Sequence, residues 1–357
     1  MDLQMKIRLI GKRNNLGIGI HFAGFADAIG RIQGIGNMVE EVDFENQQQF
    51  YDAISKSKPD DVNISFIAGN IHEFFLGHNV QWCVFESTKI PTTVKINLTP
   101  ADSVWVPSSW GAQILLAHNI ASNKIHIVPE GVDPDMYHPF SRSKHTRPFR
   151  FLFVGKYETR KSLEETIRAF AVAFGNDPAI ELIIKSHYLK PGINEIEQLV
   201  KTLQLDNVTA VIGAVENMSA IYNQCDILVA ATKGEAWGLP IIEAAASGLP
   251  IITTNYSGHT EYLQHITSSM VPVDYDLVPV TCDTYRSHYP ETDNNWGVWA
   301  QPSVSHLAEC MMLSKTHNAF LAQNALKNSN IIRKEFSWAM SANCALKTLQ
   351  NQGLLVG

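Results

Sequence analysis

The chain has 357 residues, enough for two domains that each bury a core, and its 45% hydrophobic and 18% charged content fits a folded globular protein. A formal charge of −7 argues against the basic face that nucleic-acid binding needs. No apolar run approaches the roughly 18–20 residues of a membrane-spanning helix, and the first ten residues read as a short strand rather than a leader.

The five cysteines (83, 225, 282, 310 and 344) are odd in number and include no C-x-x-C pair. That points to reduced, mostly buried thiols rather than disulfides or a zinc site, and so to the cytoplasm. Glycosylation sequons at Asn63 and Asn207 fall in or beside apparent core strands and read as chance matches.

In chain order, residues 7–10 predict a first strand, followed by a glycine-bearing loop over 11–19 and a helix near 22–29. Gly17 and Gly19 suggest a dinucleotide fingerprint, but its third glycine position is Phe22 and the loop is long for that motif, so NAD binding is not expected. Residues 61–67 and 81–85 read as strands. His72 and His78 lack metal-ligand spacing and are assigned to structure or surface. Residues 103–110 run from a strand into an N-capped helix, with Ile114, Leu115 and Ala117 on its apolar side. A strand and turn follow over 124–133, then a polar, basic linker at 141–147.

Residues 149–154 open a second domain. Lys156, Arg160 and Lys161 then gather at a strand end and a helix N-terminus, both favourable to anions. Ser162 with Glu165 reads as a capping box. Leu163, Ile167, Phe170 and Phe174 form the buried stripe of that helix, which Gly175 ends. Further strands are expected at 180–185 and 207–213. Residues 272–302 are irregular, polar and rich in Asp, Tyr and Trp, which fits a functional loop or a segment docked on a sheet edge. Helical spacing returns at 304–312, and a last helix is predicted over 339–349.

One stretch organises the second half. The apolar run 227–232 reads as a buried parallel strand. Pro240 opens a helix, Gly248 stops it in the left-handed conformation, and 250–254 resumes as strand. Glu235 lies in the loop, and Glu243, after seven intervening residues, falls in the first turn of the helix. The amides of Trp237, Gly238 and Leu239 lack helical partners and suit an anion, while a carboxylate accepts two O–H bonds from a vicinal diol. Two hydroxyl-binding acids around a phosphate-binding helix end match the polarity of a nucleotide sugar. A first-turn carboxylate can also simply answer the helix dipole.

This Glu-x7-Glu stretch, with Trp-Gly-Leu-Pro inside it and Ser-Gly-Leu-Pro after it, resembles the signature of the family 4 (group 1) retaining glycosyltransferases of GT-B fold. The resemblance extends to Pro-Ser at 107–108 and to the Val-Pro-Glu-Gly-Val-Asp run ending at Asp133, with Tyr137 and Pro139 beyond it. It also takes in Ser257-Gly258 followed by Glu261, and Phe-Ser-Trp at 336–338. It covers 103–349 well and the start weakly. It implies an α/β architecture of two doubly wound Rossmann-like domains facing across a cleft. The N-terminal acceptor domain would be 1–145, joined by the C-terminal helix 337–357, and the donor domain 146–336.

The same resemblance implies roles. Glu235 would contact the transferred sugar and Glu243 the ribose of the nucleotide. Lys156 and Lys161, with Arg160 assisting, would bind the donor phosphates, although Lys156 replaces the usual Arg and Ser162 the usual Gly. Lysine keeps the charge but loses the bidentate fork. Gly17 and Gly19 would let the first loop approach the diphosphate, Gly213 would lie beside the base, and Glu86, where many members carry a His, is the weaker catalytic candidate. Asp133 with Asp135, and Asp274 with Asp276, look like the metal motif of the other glycosyltransferase fold. A turn role is preferred, so neither metal nor cofactor is expected. The expected activity is hexosyl transfer from a nucleoside-diphosphate sugar to a glycan, lipid-linked or other hydroxyl acceptor, as in polysaccharide biosynthesis. It would take place in the cytoplasm, with peripheral membrane contact left open. A non-catalytic nucleotide-sugar binder and a GT-B epimerase or phosphorylase are the alternatives.

Overall fold

The computed structural model of the chain describes residues 5–66, 75–140, 147–186, 193–281, 293 and 295–355. Most of the linker expected at 141–147 lies outside these residues, as do His72 and Cys282. The chain falls into two compact units. One holds the residues up to Val132, a short segment ending at Gly297, and the C-terminus from Phe336; the other holds Asp133–Ser287 and Val298–Glu335.

In the first unit, β1 (Ile7–Gly11), β2 (Val39–Asp43), β3 (Val62–Ser65), β4 (His78–Trp82), β5 (Ser103–Val106) and β6 (Ile125–Ile127) form one parallel sheet in the order β2-β1-β3-β4-β5-β6. The inner strands are buried along their length, as a sheet flanked by helices requires. The first helix, α1, spans Gly17–Gly30 and so starts earlier than the sequence suggests. Asn14 accepts a hydrogen bond from the Leu16 amide (2.8 Å), and the Leu16 carbonyl accepts from Ile20 (2.8 Å), which begins the helix at once. Gly17 and Gly19 therefore lie in its first turn and not in a loop. The fourth strand also sits earlier than expected, because His78 is in register with Val62. Ser108 caps α4 (Ser109–Ala117) by accepting from the Gly111 amide, with Ile114 and Leu115 buried but Ala117 exposed.

An aromatic cluster sits within the largely aliphatic core of this unit. Trp82 and Trp105 meet edge to face at 5.3 Å, and Phe25 and Phe66 pack on Trp82. A buried Arg8 in β1 is held by Asp61 at 2.5 Å and Glu40 at 3.1 Å. The C-terminal helix, counted below as α12 (Trp338–Asn351), packs on α1. It comes close because α1 presents Gly24: a Cβ there would stand 2.3 Å from the Trp338 ring. Lys89 ties the short segment to this unit through Asp293 (2.8 Å) and the Asn295 carbonyl (2.7 Å).

In the second unit, β7 (Phe149–Val154), β8 (Ile180–Ser186), β9 (Val208–Ile212), β10 (Ile227–Ala230), β11 (Ile251–Thr254) and β12 (Met270–Val273) make a second parallel sheet, ordered β12-β11-β10-β7-β8-β9. Helix α5 (Leu163–Phe174) lays Leu163, Ile167 and Phe170 into the core, each worth roughly 1.5–3 kcal/mol of burial. The segment read as irregular over 272–302 contains order at both ends: β13 (Tyr275–Pro279) pairs antiparallel with β14 (Val298–Pro302). Its strand character was hidden because β13 is exposed along most of its length and shows no alternation of polarity. Helices α10 (Val304–Thr316) and α11 (Asn318–Glu335) follow.

Cys83, Cys225 and Cys310 are buried and Cys344 is half-buried, and none of the four is in a disulfide. Asn63 is buried within β3, so its sequon is inaccessible. Among the described residues, no helix is long and apolar enough to cross a membrane.

Candidate functional site

The second sheet delivers its loops to one edge. Residues 231–238 leave β10 and enter α8 (Leu239–Ala246), with Gly238 at the helix entrance and Pro240 in the opening residues. Glu235 is 7% exposed. Its Oε1 accepts from Lys161 Nζ at 2.6 Å and from the Thr232 hydroxyl at 3.0 Å, and its Oε2 faces Arg160 Nη1 at 3.1 Å. Burial alone would raise this carboxyl, but the charge of Lys161, then that of Arg160, outweighs it and holds the group at about 2. Glu235 is therefore a buried anion fixed between two cations.

The backbone around it is fixed from two directions. Arg160 Nη1 donates to the Gly234 carbonyl (2.7 Å), and the Lys233 amide donates to the Arg160 carbonyl (2.8 Å). On the other side the Ser257 hydroxyl accepts from the Glu235 amide (2.9 Å), and the Gly258 amide donates to the Glu235 carbonyl (2.8 Å). The sequence suggests that Gly258 makes a tight turn. It is Ser257 that takes the positive φ (+71°), whereas Gly258 is required by contact, since a Cβ there would lie 1.8 Å from the Ala236 carbonyl oxygen.

The capping box expected at Ser162 does not form. Ser162 adopts the left-handed conformation (φ +56°), its side chain makes no cap bond, and its hydroxyl is buried without a hydrogen-bond partner. Glu165 is occupied elsewhere: it pairs with Lys233 at 2.8 Å and accepts from Gln301 of β14 at 2.9 Å. Lys233 is itself buried and lies over the Trp299 ring. The ribbon thus braces the loop that carries Glu235.

Glu243 stands in the second turn of α8 rather than the first, so the helix dipole does not account for it. It is 7% exposed. Tyr222, on α7 (Met218–Asn223), donates its hydroxyl to Oε2 at 2.7 Å, and Tyr137 bonds to the same carboxyl. Burial raises this carboxyl to about 7, with the two tyrosine bonds partly opposing the rise. One motif thus holds two buried acids whose proton affinities are shifted in opposite directions.

The other expected residues are distributed as follows. Lys156 is half-exposed at 3.8 Å from Glu158, which also faces Arg160 at 3.4 Å and so links it to the cluster that holds Glu235. Trp237 is buried edge to face with Tyr262, whose hydroxyl donates to the carbonyls of Trp237 and Gly238 (3.0 Å each). Leu239 begins α8 in the core. Gly213 follows β9; its amide donates to the Ser186 carbonyl, and its carbonyl accepts from the buried Lys185. Gly17, Gly19 and Glu86 belong to the first unit, and Glu86 lies half-buried beyond the end of β4. Asp133 accepts from the amides of Asp135 and Met136, which makes it a turn residue. Sequence reasoning missed Thr232, Ser257, Tyr222 and Lys233. Ser257 carried a signal, through its place in the Ser-Gly match beside Gly258.

Residues 138–271 match the family model described as glycosyl transferases group 1. Mannosylfructose-phosphate synthase of Agrobacterium fabrum is 28% identical over 161 residues, which is 40% of this chain and 35% of that protein. A D-inositol 3-phosphate glycosyltransferase of Pseudarthrobacter chlorophenolicus is 26% identical over 169 residues, 44% of this chain and 40% of that protein. The chain thus spans well under half the length of these relatives. Among solved structures, Anabaena HepE in complex with UDP-glucose aligns with a TM-score of 0.74 at 13% identity, over 98% of this chain and 100% of that one. Sucrose-phosphate synthase of Thermosynechococcus elongatus aligns at 0.69 and 16% identity, over 98% and 99%. At such identities the likeness establishes the two-domain GT-B fold.

Proposed function

We propose that this protein transfers a glycosyl group from a nucleoside-diphosphate sugar to an acceptor hydroxyl, with retention of configuration, in the building of a glycan or glycoconjugate. The observation that carries this reading is Glu235, kept ionised between Lys161 and Arg160 at the loop before α8. In that state its carboxylate accepts hydrogen bonds from sugar hydroxyls and orients the ring. Lys156, Arg160 and Lys161 together exceed the charge of Glu158 and Glu235 by one, and this surplus serves the diphosphate. As the sugar departs, negative charge grows on the β-phosphate, and Lys161, Arg160 and the amides at the start of α8 stabilise it. The departing phosphate oxygen then takes the proton of the acceptor hydroxyl on the face that the leaving group has vacated. Buried free thiols fit a cytoplasmic setting.

The pairing of Lys156 with Glu158, which draws on its charge, favours a second reading in which the domain binds a nucleotide sugar without turnover. One experiment tests the shared premise. Thermal unfolding is followed with UDP, GDP, ADP and CMP on the wild type and on Lys161→Ala. At 100 times its dissociation constant a ligand adds about 2.7 kcal/mol. Stabilisation of the wild type by one diphosphate, largely lost in the variant, is the expected result. Failure of every nucleotide to stabilise the wild type at saturation overturns both readings. Sugar release from the matching donor across an acceptor panel then separates enzyme from binder.

A further inference from the structure

We infer that Tyr137 and Tyr222 are positioning residues that hold Glu243 as a hydrogen-bond acceptor for the vicinal diol of a ribose. The inference rests on the donor-site reading above and assigns to that site two residues outside the acidic motif.

The geometry is specific. Glu243 is nearly enclosed, and Tyr222, fully buried, donates to its Oε2 at 2.7 Å. The second hydroxyl comes from Tyr137, whose ring meets that of Tyr222 at 5.9 Å and 73°. Both tyrosines are fixed by their surroundings. Asn217 caps α7, and Asn223 on the same helix accepts from the Phe140 amide and donates to the His138 carbonyl. The Tyr137 amide in turn donates to the Asp133 carbonyl. Residues 133–140 are thereby strapped to α7, with Tyr137 aimed at α8.

The contrast with Glu235 sets the chemistry. Glu235 is held by two cations, whereas the groups acting on Glu243 are neutral phenols. The titratable groups that face it are Tyr222 from α7 and Tyr137 from the strap, with Tyr262 of α9 (Thr260–Leu263) bearing on Tyr222. Helix α11, packed along α8, buries Leu321, Ala325 and Ile332, and the neighbouring strands β10 and β11 are apolar apart from Thr253 and Thr254. An ionised carboxylate offers about four lone-pair positions, of which the phenols take two, leaving two for a diol. The phenolic bonds also favour the ionised form, which burial disfavours. Without one of them the carboxyl holds its proton to higher pH, presents an O–H in place of an acceptor, and loses its match to the diol.

The test is calorimetric titration of UDP and GDP between pH 5.5 and 8.5 into wild type, Tyr222→Phe and Tyr137→Phe. The matching 2′,3′-dideoxynucleoside diphosphate, which carries the same phosphate titration, serves as control. For the wild type, the preference for the ribose form should rise with pH through about 7. Each phenylalanine variant should bind the ribonucleotide roughly tenfold more weakly at pH 7, with the rise displaced to higher pH and the dideoxy form unaffected. If one variant fails to fold, the other variant and the wild-type ribose preference still decide. Ribonucleotide binding by a folded variant with the wild-type pH profile overturns this inference alone, as does an absent ribose preference in the wild type. A wild type that binds no nucleoside diphosphate overturns the donor reading and this inference with it.

Discussion

Replacing Ser162 by glycine should make the second unit more stable. In the wild type this residue carries a Cβ in the left-handed region (φ +56°) and buries a hydroxyl that has no partner. The conformation costs about 1–2 kcal/mol for a non-glycine residue, and the unpaired hydroxyl about 1–3 kcal/mol. Glycine returns roughly 0.5–1 kcal/mol of this through its larger unfolded-state entropy. The expected net gain is about 1–4 kcal/mol, read by urea unfolding of Ser162→Gly beside Ser162→Ala. Alanine removes the hydroxyl but keeps the Cβ, so it should fall between the other two. A glycine variant less stable than the wild type would refute the reasoning, because it would show that the hydroxyl or the Cβ stabilises the turn.

Three further outcomes are expected. Gly258→Ala places a Cβ against the Ala236 carbonyl, which is backbone and cannot turn aside; it should cost about 1–3 kcal/mol and abolish nucleotide-induced stabilisation, and a variant that still responds to nucleotide would contradict the placement of Glu235. Gly24→Ala drives a Cβ into the Trp338 ring and should lower stability by a similar amount, about 1–3 kcal/mol, through the first unit alone, leaving nucleotide affinity unchanged. The two acids should titrate in opposite senses. Glu243, raised to about 7, keeps its proton in the folded chain after an unfolded carboxyl has lost its own, so its contribution to stability falls as pH rises from 4.5 through 7. Glu235, lowered to about 2, contributes stability above 4.5 that is lost as pH falls towards 2. Glu243→Gln should therefore gain on the wild type by up to about 3 kcal/mol between pH 5 and 8, and a difference independent of pH would contradict the raised carboxyl.

The parts of this fold that were legible in sequence are those in which local pattern and burial agree. The strands flanking the Glu-x7-Glu stretch, the stop at Gly248 and the buried stripe of α5 follow from apolar runs and helical spacing. Tertiary contacts decided the rest. Ser162 and Glu165 have the spacing of a capping box, but Lys233 and Gln301, distant in sequence, claim the glutamate. The start of α1 is set by Asn14 and Leu16, not by its glycines. The partners of Glu243 were illegible for the same reason: Tyr137 and Tyr222 lie 106 and 21 residues away in the chain, and nothing local announces a buried phenol.

The strap formed by residues 133–140 bears on how such a protein can be cut, permuted or recombined. Proline and polar residues just beyond it mark the natural place to divide the chain, yet a cut there would leave Tyr137, the Pro139 contact to Gly248 and the Phe140 bond to Asn223 on the wrong fragment. The inheritable module begins at Asp133. Any exchange of sequences between relatives that keeps the surroundings of Glu243 has to leave this octapeptide with the second unit, and chimaeras joined after Phe140 should arise already impaired.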